Sequence, residues 1–468
     1  MSAGHTRTVD VVVVGAGLSG LAAARRLTDR GLSVAVLEAG PRVGGRTLTG
    51  RAGDVLVDEG ATLVYPAHHN VFRLARVLGV DMFESSVDGR FLLYTDGAAH
   101  SFRFGNSRGM KLFGIPALRP LLRITLRLAA RWTTLPLPPD AIIQLLHVIS
   151  ALDELAATVP PEAPWTAPEA DDLDRRTFGS WLREQMPAPQ ARRLFEANVA
   201  GYLPESTSLL YALHFLRTWD GVGNLVAGPA RLYRFRGGAQ ELPRALAAAL
   251  GDRVTLASPV REIAQHPTGV VVRCADTEFV ANRVIVAIGP SGVRDLHFDP
   301  PLPADRVTLQ NAWQPVHGRK INIVYSEPFW RRSGRSGAAL TDLDAVPGLL
   351  DASPPDGRAG VLAGYLPADR GPTDPAERRR TVLAVCAALF GPRAATPLHY
   401  LEKNWQDEPY AHGCEGGLAT GALTTARRLP KTPVGRIHWA GVETADTWQG
   451  FLSGAIQAGE RAADEVLE

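Results

Sequence analysis

The chain has 468 residues, 45% of them hydrophobic and 21% charged, an ordinary globular composition with room for two or more domains. Its formal net charge of +2 points to no polyanionic partner, so nucleic acid is not expected. Cys274, Cys386 and Cys414 are far apart and lack CxxC spacing, which argues against a disulfide framework or a zinc site and fits a reducing, cytoplasmic compartment.

Residues 1–8 are polar, and the apolar run after them is too short and wrongly flanked for a signal peptide. No uninterrupted apolar stretch reaches about 18 residues, so no membrane-spanning helix is expected. Val11, Val12, Val13 and Val14 form an apolar run closed by glycine, which reads as a buried parallel strand. Gly15, Gly17 and Gly20 follow as G-x-G-x-x-G. Gly15 permits a tight turn, Gly17 lets a pyrophosphate approach the backbone, and Gly20 lets the next helix pack closely on the strand. That helix, about 18–29, turns its N-terminal amides toward phosphates. Residues 33–37 read as a second strand, with Glu38 at its carboxyl end. An acid there accepts hydrogen bonds from a ribose hydroxyl and disfavours a 2′-phosphate. Strand, helix, strand and acid in register make a dinucleotide-binding unit, and the acid suits NAD as well as FAD.

Further along, no acid occurs between Asp96 and Asp140, while Arg119, Arg123, Arg127 and Arg131 recur every four residues among leucines and isoleucine. On a helix begun by Pro120 they form a basic stripe beside an apolar face. The stripe suits docking to an anionic phospholipid surface or an acidic carrier protein, and it equally suits a solvated face paired with acids from elsewhere. Phe235-Arg236-Gly237-Gly238 precedes a helix at about 241–250. Residues 254–256, 260–264 and 270–274 read as short strands, and 284–288 is an apolar run ending in Gly289-Pro290. Three further segments stand out: Lys320-Ile321-Asn322-Ile323-Val324-Tyr325-Ser326-Glu327-Pro328-Phe329-Trp330, Asn404-Trp405-Gln406-Asp407-Glu408-Pro409-Tyr410-Ala411-His412-Gly413-Cys414, and Gly441-Val442-Glu443. Gly450-Phe451-Leu452 then leads into a helix at about 454–466 whose Ala455, Ala458 and Ala462 permit close packing. No spacing makes His317, His412 or His438 a metal ligand, and no metal is expected.

These segments resemble the flavin-dependent amine oxidases, within the superfamily that includes protoporphyrinogen oxidase and phytoene desaturase. Gly44-Gly45-Arg46-Thr47 is similar to the family's G-G-R-T continuation, whose arginine faces the pyrophosphate. The resemblance implies FAD as cofactor. A valine matching Val260 meets the adenine through its backbone. A lysine matching Lys320, at fixed distance before E-P-F-W, holds a water near flavin N5, where a cation stabilises charge on the reduced ring. The cysteine matching Cys414 can carry flavin as an 8α-thioether, and the tryptophan matching Trp405 stacks near the ring. Gly441 and Glu443 match a G-x-E whose glutamate lies at the ribityl chain and pyrophosphate. Phe451 and Leu452 match the approach to the ring's pyrimidine end. The residues alone also allow surface charges for Arg46 and Lys320 and a buried free thiol for Cys414.

The chain departs from that family at the substrate. Relatives frame the amine with two aromatic rings, commonly tyrosines; here the matching positions hold Glu415 and Phe451. Glu415 either pairs with a second cationic group on the substrate or is a solvated loop acid. The expected architecture is α/β: a discontinuous, Rossmann-like FAD-binding domain of residues 1–86, 229–294 and 403–468, and a sheet-plus-helices substrate domain of 87–228 and 295–402. The implied activity is oxidation of a small-molecule amine to an imine by hydride transfer to flavin N5, with dioxygen reoxidising the flavin to give hydrogen peroxide. The rivals are a carbon–carbon desaturase of a lipophilic substrate and a non-catalytic flavin-binding partner protein. The sequence leaves oligomeric state open, a homodimer among the options.

Overall fold

The structure, a computed structural model, describes residues 5–86, 88–102, 137–199, 203–219, 222, 231–411 and 413–468. Arg119, Arg123, Arg127 and Arg131, with their basic stripe, and His412 lie outside the described residues.

The valine run sits in strand His5–Val14, at the middle of an eight-stranded sheet. Val34–Leu37 and Thr277–Val286 flank it, both parallel, and Val254–Thr255 pairs with Val34–Leu37. On the other side Gly269–Arg273 and Glu262–His266 run as an antiparallel pair out to an edge strand, His297–Asp299. Ile437–Trp439 joins the carboxyl end of Thr277–Val286 in parallel, bringing the C-terminal segment into the sheet. Alternation of side chains sorts the strands into two cores. Val11, Val13, Val36 and Ile285 pack one face with Leu21, Leu27 and Ile456. Val12, Val14, Leu37 and Val286 pack the other with Ile437 and Trp439. Helix Leu18–Thr28 lies on the first face against helix Leu452–Leu467. A Cβ at Gly459 would collide with the Ser19 carbonyl oxygen, so glycine is what permits these backbones to meet.

A seven-stranded sheet forms the second layer, ordered His399–Asn404, Gly318–Tyr325, Gly360–Pro367, Gly348–Asp351, Arg335–Thr341, Arg90–Thr95 and Ala98–Phe102. Helix Pro375–Phe390 covers it through Val382, Cys386 and Leu389. A helical cluster, including Pro139–Thr158, Phe178–Gln185, Pro189–Val199 and Leu209–Arg217, has its own core of Val148, Leu152, Leu182, Phe195 and Leu213. Buried Asp174 ties this cluster to the C-terminal region: its carboxylate accepts from Ser208 Oγ at 2.5 Å and from the Thr424 amide at 2.9 Å.

Two details differ from the sequence expectation. The first sheet runs past 294, because His297–Asp299 pairs with Glu262–His266. The expected strand at 260–264 starts at Glu262, since Pro259 cannot donate to a ladder and Val260 stays outside it. In addition, the 19 residues Asp140–Thr158 are long and apolar enough to cross a membrane by length and composition alone. A strict apolar-run criterion passes over them because Gln144, His147, Asp153 and Glu154 interrupt the pattern. Part of the helix is buried in the helical core, and the Asp153 carboxylate accepts from the Val222 amide at 2.8 Å.

Gly459→Val drives a branched side chain into the Ser19 carbonyl. It is expected to destabilise the protein by about 1–3 kcal/mol, the usual cost of overpacking. Chemical denaturation checks this, and an unchanged midpoint would contradict the close approach.

Candidate functional site

The glycine turn does what its residue types require. Gly15 has φ +100°, and a Cβ there would lie 2.7 Å from Ile288 Cγ2. Its amide donates to the Leu37 carbonyl at 2.8 Å, closing the turn between strands. A Cβ at Gly20 would collide with the Gly15 carbonyl oxygen, whereas one at Gly17 would meet nothing within 4 Å. Gly17 caps helix Leu18–Thr28 with no side-chain cap, so the first amides of that helix stay free for an anion. The Glu38 carboxylate accepts from the Ala16 amide at 2.8 Å through Oε2 and from the Gly40 amide at 2.9 Å through Oε1. Each oxygen keeps a lone pair, so the acid is fixed in place and can still accept from ribose hydroxyls. Arg46 Nη1 donates to Glu443 Oε1 at 2.6 Å, joining the two ends of the chain. Glu443 is buried, and its Oε2 has no hydrogen-bond partner among the described residues. An orphaned buried carboxylate oxygen suits a hydroxyl donor such as a ribityl chain.

These groups open onto one cavity of about 1620 Å3. That exceeds the roughly 300–1,000 Å3 of an ordinary small-molecule site, as an extended dinucleotide with a substrate beside it requires. Gly15, Gly17, Glu38, Gly45, Arg46 and Val260 line one part of it, and Lys320, Trp405, Cys414, Phe451 and Leu452 line another. Gly20, Gly441 and Glu443 stand behind this wall. A Cβ at Gly441 would lie 2.6 Å from the Ile288 carbonyl oxygen. Glu415 lies in strand Cys414–Leu418, its backbone paired with Pro315. Its side chain is outside the description.

The carboxyl-terminal wall is aromatic. Phe451 caps helix Leu452–Leu467 and packs edge-on to Trp219 at 4.6 Å and to Tyr65 at 5.7 Å between ring centroids. His68 lies behind it, 4.6 Å from Trp448, and burial pushes its imidazole down to about 3, so it is neutral. Trp405 is buried and donates from Nε1 to the Glu59 carbonyl at 2.8 Å.

Lys320 sits on strand Gly318–Tyr325, directly across from Tyr365 and Lys403. It faces the cavity yet lies deep in the chain. Burial pushes its ammonium down to about 8; the Asp58 carboxylate pulls the value back up and the Arg234 guanidinium pushes it further down. The neighbouring Tyr365 phenol is driven above its ordinary value by burial, so it stays neutral.

The sequence reading missed several lining residues. Arg42 donates to the Gly45 carbonyl at 2.8 Å and pairs with Glu408 at 3.0 Å, while Lys403 also pairs with Glu408. Both Arg42 and Glu408 lie inside conspicuous segments and carried that signal. Tyr365 and the carboxylates Glu196, Glu205 and Asp369 come from segments with no local motif. Burial, and then Glu205, raises the Glu196 carboxyl; Glu205 is held by Arg183 at 3.0 Å and Arg370 at 3.3 Å.

The family model for flavin-containing amine oxidoreductases matches residues 18–467. AofH of Mycobacterium tuberculosis, named for flavin-containing monoamine oxidase, is 38% identical over 98% of this chain and 96% of its own length. Among solved structures, wild-type putrescine oxidase bound to putrescine superposes with TM-score 0.88 at 29% identity over 99% of both chains. Cyclohexylamine oxidase from Brevibacterium oxydans superposes with TM-score 0.85 at 30% identity over 98% of both chains.

Glu38→Ala removes the group that joins the glycine turn to the ribose position and leaves the Ala16 and Gly40 amides without their acceptor. Retention of flavin should weaken by about tenfold or more, roughly 1.4 kcal/mol. Flavin absorbance after exhaustive dialysis measures it, and full retention would contradict the assignment.

Proposed function

This chain belongs to the flavin-containing amine oxidase family, and from that premise we propose that Lys320 and the aromatic wall at Phe451 carry the oxidation of an amine to an imine. The chain is an FAD-dependent oxidoreductase. The residues present fit that cofactor: the open Gly17 turn, the anchored Glu38 and the orphaned Glu443 oxygen each match a group it bears. FAD, when bound, accepts a hydride equivalent from the amine's α-carbon at N5 and returns the electrons to dioxygen, which leaves as hydrogen peroxide. The family assignment displaces the desaturase and non-catalytic alternatives.

The observation that carries this reading is that one cavity holds both the dinucleotide turn and Lys320. The protein supplies orientation, a water-poor pocket and a cation. Tyr365, Trp405, Phe451 and Tyr65 give the cavity apolar walls that exclude water around a neutral amine. Lys320 Nζ presents positive charge where electrons accumulate and holds a water for imine hydrolysis. Its ammonium lies near neutrality in acid strength, so Nζ can release and recover a proton during turnover. Cys414 is exposed and lines the cavity, which makes it the candidate attachment point for the flavin. Flavin in the pellet after acid precipitation would establish the bond.

We further propose that the substrate is larger or more polar than a simple arylalkylamine. Phe451 supplies one aromatic face where relatives use two, and Glu196, Glu205 and Asp369 put carboxylates on the cavity wall. A structural neighbour bound to putrescine, a diamine, supports the same direction. Glu415 follows Cys414 directly and is the acid assigned to a second cation on the substrate.

Lys320→Met should slow flavin reduction or reoxidation by at least about tenfold, or about 1.4 kcal/mol on a barrier. Stopped-flow measurement of both half-reactions decides, and two unchanged rates would return Lys320 to a structural role. In the wild type, the lysine-dependent step should weaken as pH rises through about 8, because the cation is present below that value and lost above it. Glu415→Gln should raise the KM of a diamine while leaving flavin content unchanged. Efficient turnover of benzylamine, with Glu415→Gln indifferent, would contradict the substrate reading.

A further inference from the structure

Asp58 ends strand Val55–Asp58 and is buried, yet the reaction gives it no part. Its Oδ1 accepts from Thr49 Oγ1 at 2.9 Å and from the Ala239 amide at 2.8 Å. The Asn322 side-chain amide donates to the Asp58 carbonyl at 3.1 Å. Asn322 and Lys320 are two residues apart on one strand, so they project to the same side of the sheet. The side that meets Asp58 is therefore the side that carries Lys320 into the cavity. Buried Arg234 is the second cation of this cluster; it donates to the Ser353 carbonyl at 2.9 Å, and its Nε has no partner among the described residues. A buried carboxylate and a buried ammonium are each costly alone and offset one another when they share a pocket.

We propose that Asp58 is a positioning residue for Lys320: its anchored carboxylate is the counter-charge that keeps the lysine ammonium at the cavity wall. The proposal rests on the reading that Lys320 serves the flavin reaction. The other groups around the lysine do not substitute for Asp58. Tyr365, directly across, is neutral. Lys403, on the opposite neighbour strand, is engaged by Glu408, which Arg42 also holds. Asp351, beyond Arg234, is taken by Arg331 at 2.8 Å. The directions agree with this arrangement. Asp58 pulls the lysine up and Arg234 pushes it down; burial, the largest influence on all three, lowers both cations and raises the Asp58 carboxyl, which Arg234 draws back down more than Lys320 does.

The chain has only four lysines, Lys111, Lys320, Lys403 and Lys431, so holoenzyme carrying 13Cε-labelled lysine gives few signals, and Lys320→Met identifies the one that matters. That signal should titrate near 8 in the wild type. Asp58→Asn keeps an oxygen for both hydrogen bonds and removes only the charge; it should lower the midpoint by about one pH unit. Arg234→Gln should move it upward. Opposite shifts of one signal are not produced by a general loss of stability, which would instead lower Tm and flavin content in both variants. Should Asp58→Asn fail to fold, linkage supplies the reciprocal measurement: Lys320→Met must raise the titration of the 13C-labelled Asp58 carboxyl. A lysine midpoint unmoved by Asp58→Asn, or an Asp58 carboxyl indifferent to Lys320→Met, overturns the proposal. If Lys320→Met leaves both half-reactions unchanged while the shifts appear, the catalytic reading fails and the charge pairing stands.

Discussion

At the carboxyl end of strand His5–Val14 several backbones approach more closely than side chains would allow. Gly15 turns off the strand under Ile288, Gly20 seats the following helix on the Gly15 carbonyl, and Gly459 lets the C-terminal helix settle on Ser19. A methyl group at any of the three would push these backbones apart. This contact aims the uncapped N-terminus of helix Leu18–Thr28 at the cavity, and it brings Glu443 within reach of Arg46 from the far end of the chain. The dinucleotide site thus depends on steric absence as much as on any attractive group.

Chemistry enters from the second sheet. Strand Gly318–Tyr325 carries Lys320 to the cavity that the first sheet opens. A lysine in that position is useful because it is badly solvated: the burial that makes its ammonium a stronger acid also keeps its field unscreened. Asp58 limits the cost. The pair reflects a general bargain in oxidase sites, where a charge must lie close to the redox centre without drawing in water.

The residues that were legible in the sequence belong to short segments with strong local rules. The valine run, the three glycines and Glu38 follow from strand burial and backbone clearance, and each lies where that reasoning puts it. The extent of strand His5–Val14 was not legible, because Thr6, Arg7 and Thr8 are polar and exposed and owe their conformation to pairing with Thr277–Val286. Lys320, Trp405 and Cys414 were read from a family resemblance, and the fold brings all three to one cavity. Residues set by tertiary convergence left no local trace. Tyr365 acquires its place by lying across a ladder from Lys320, and Glu196 and Asp369 reach the cavity from a helix and a distant strand end. Asp58 is a further case, since nothing in its neighbours announces a buried carboxylate.

The central claim is that this chain removes hydrogen from the carbon beside an amine nitrogen. Anaerobic mixing of the holoprotein with a panel of monoamines and diamines, and with the α-deuterated form of whichever amine reduces the flavin, tests it most directly. The account predicts that flavin absorbance bleaches with at least one amine of the panel and bleaches more slowly with its deuterated form. A flavin that dithionite bleaches but that no amine of the panel reduces would contradict it.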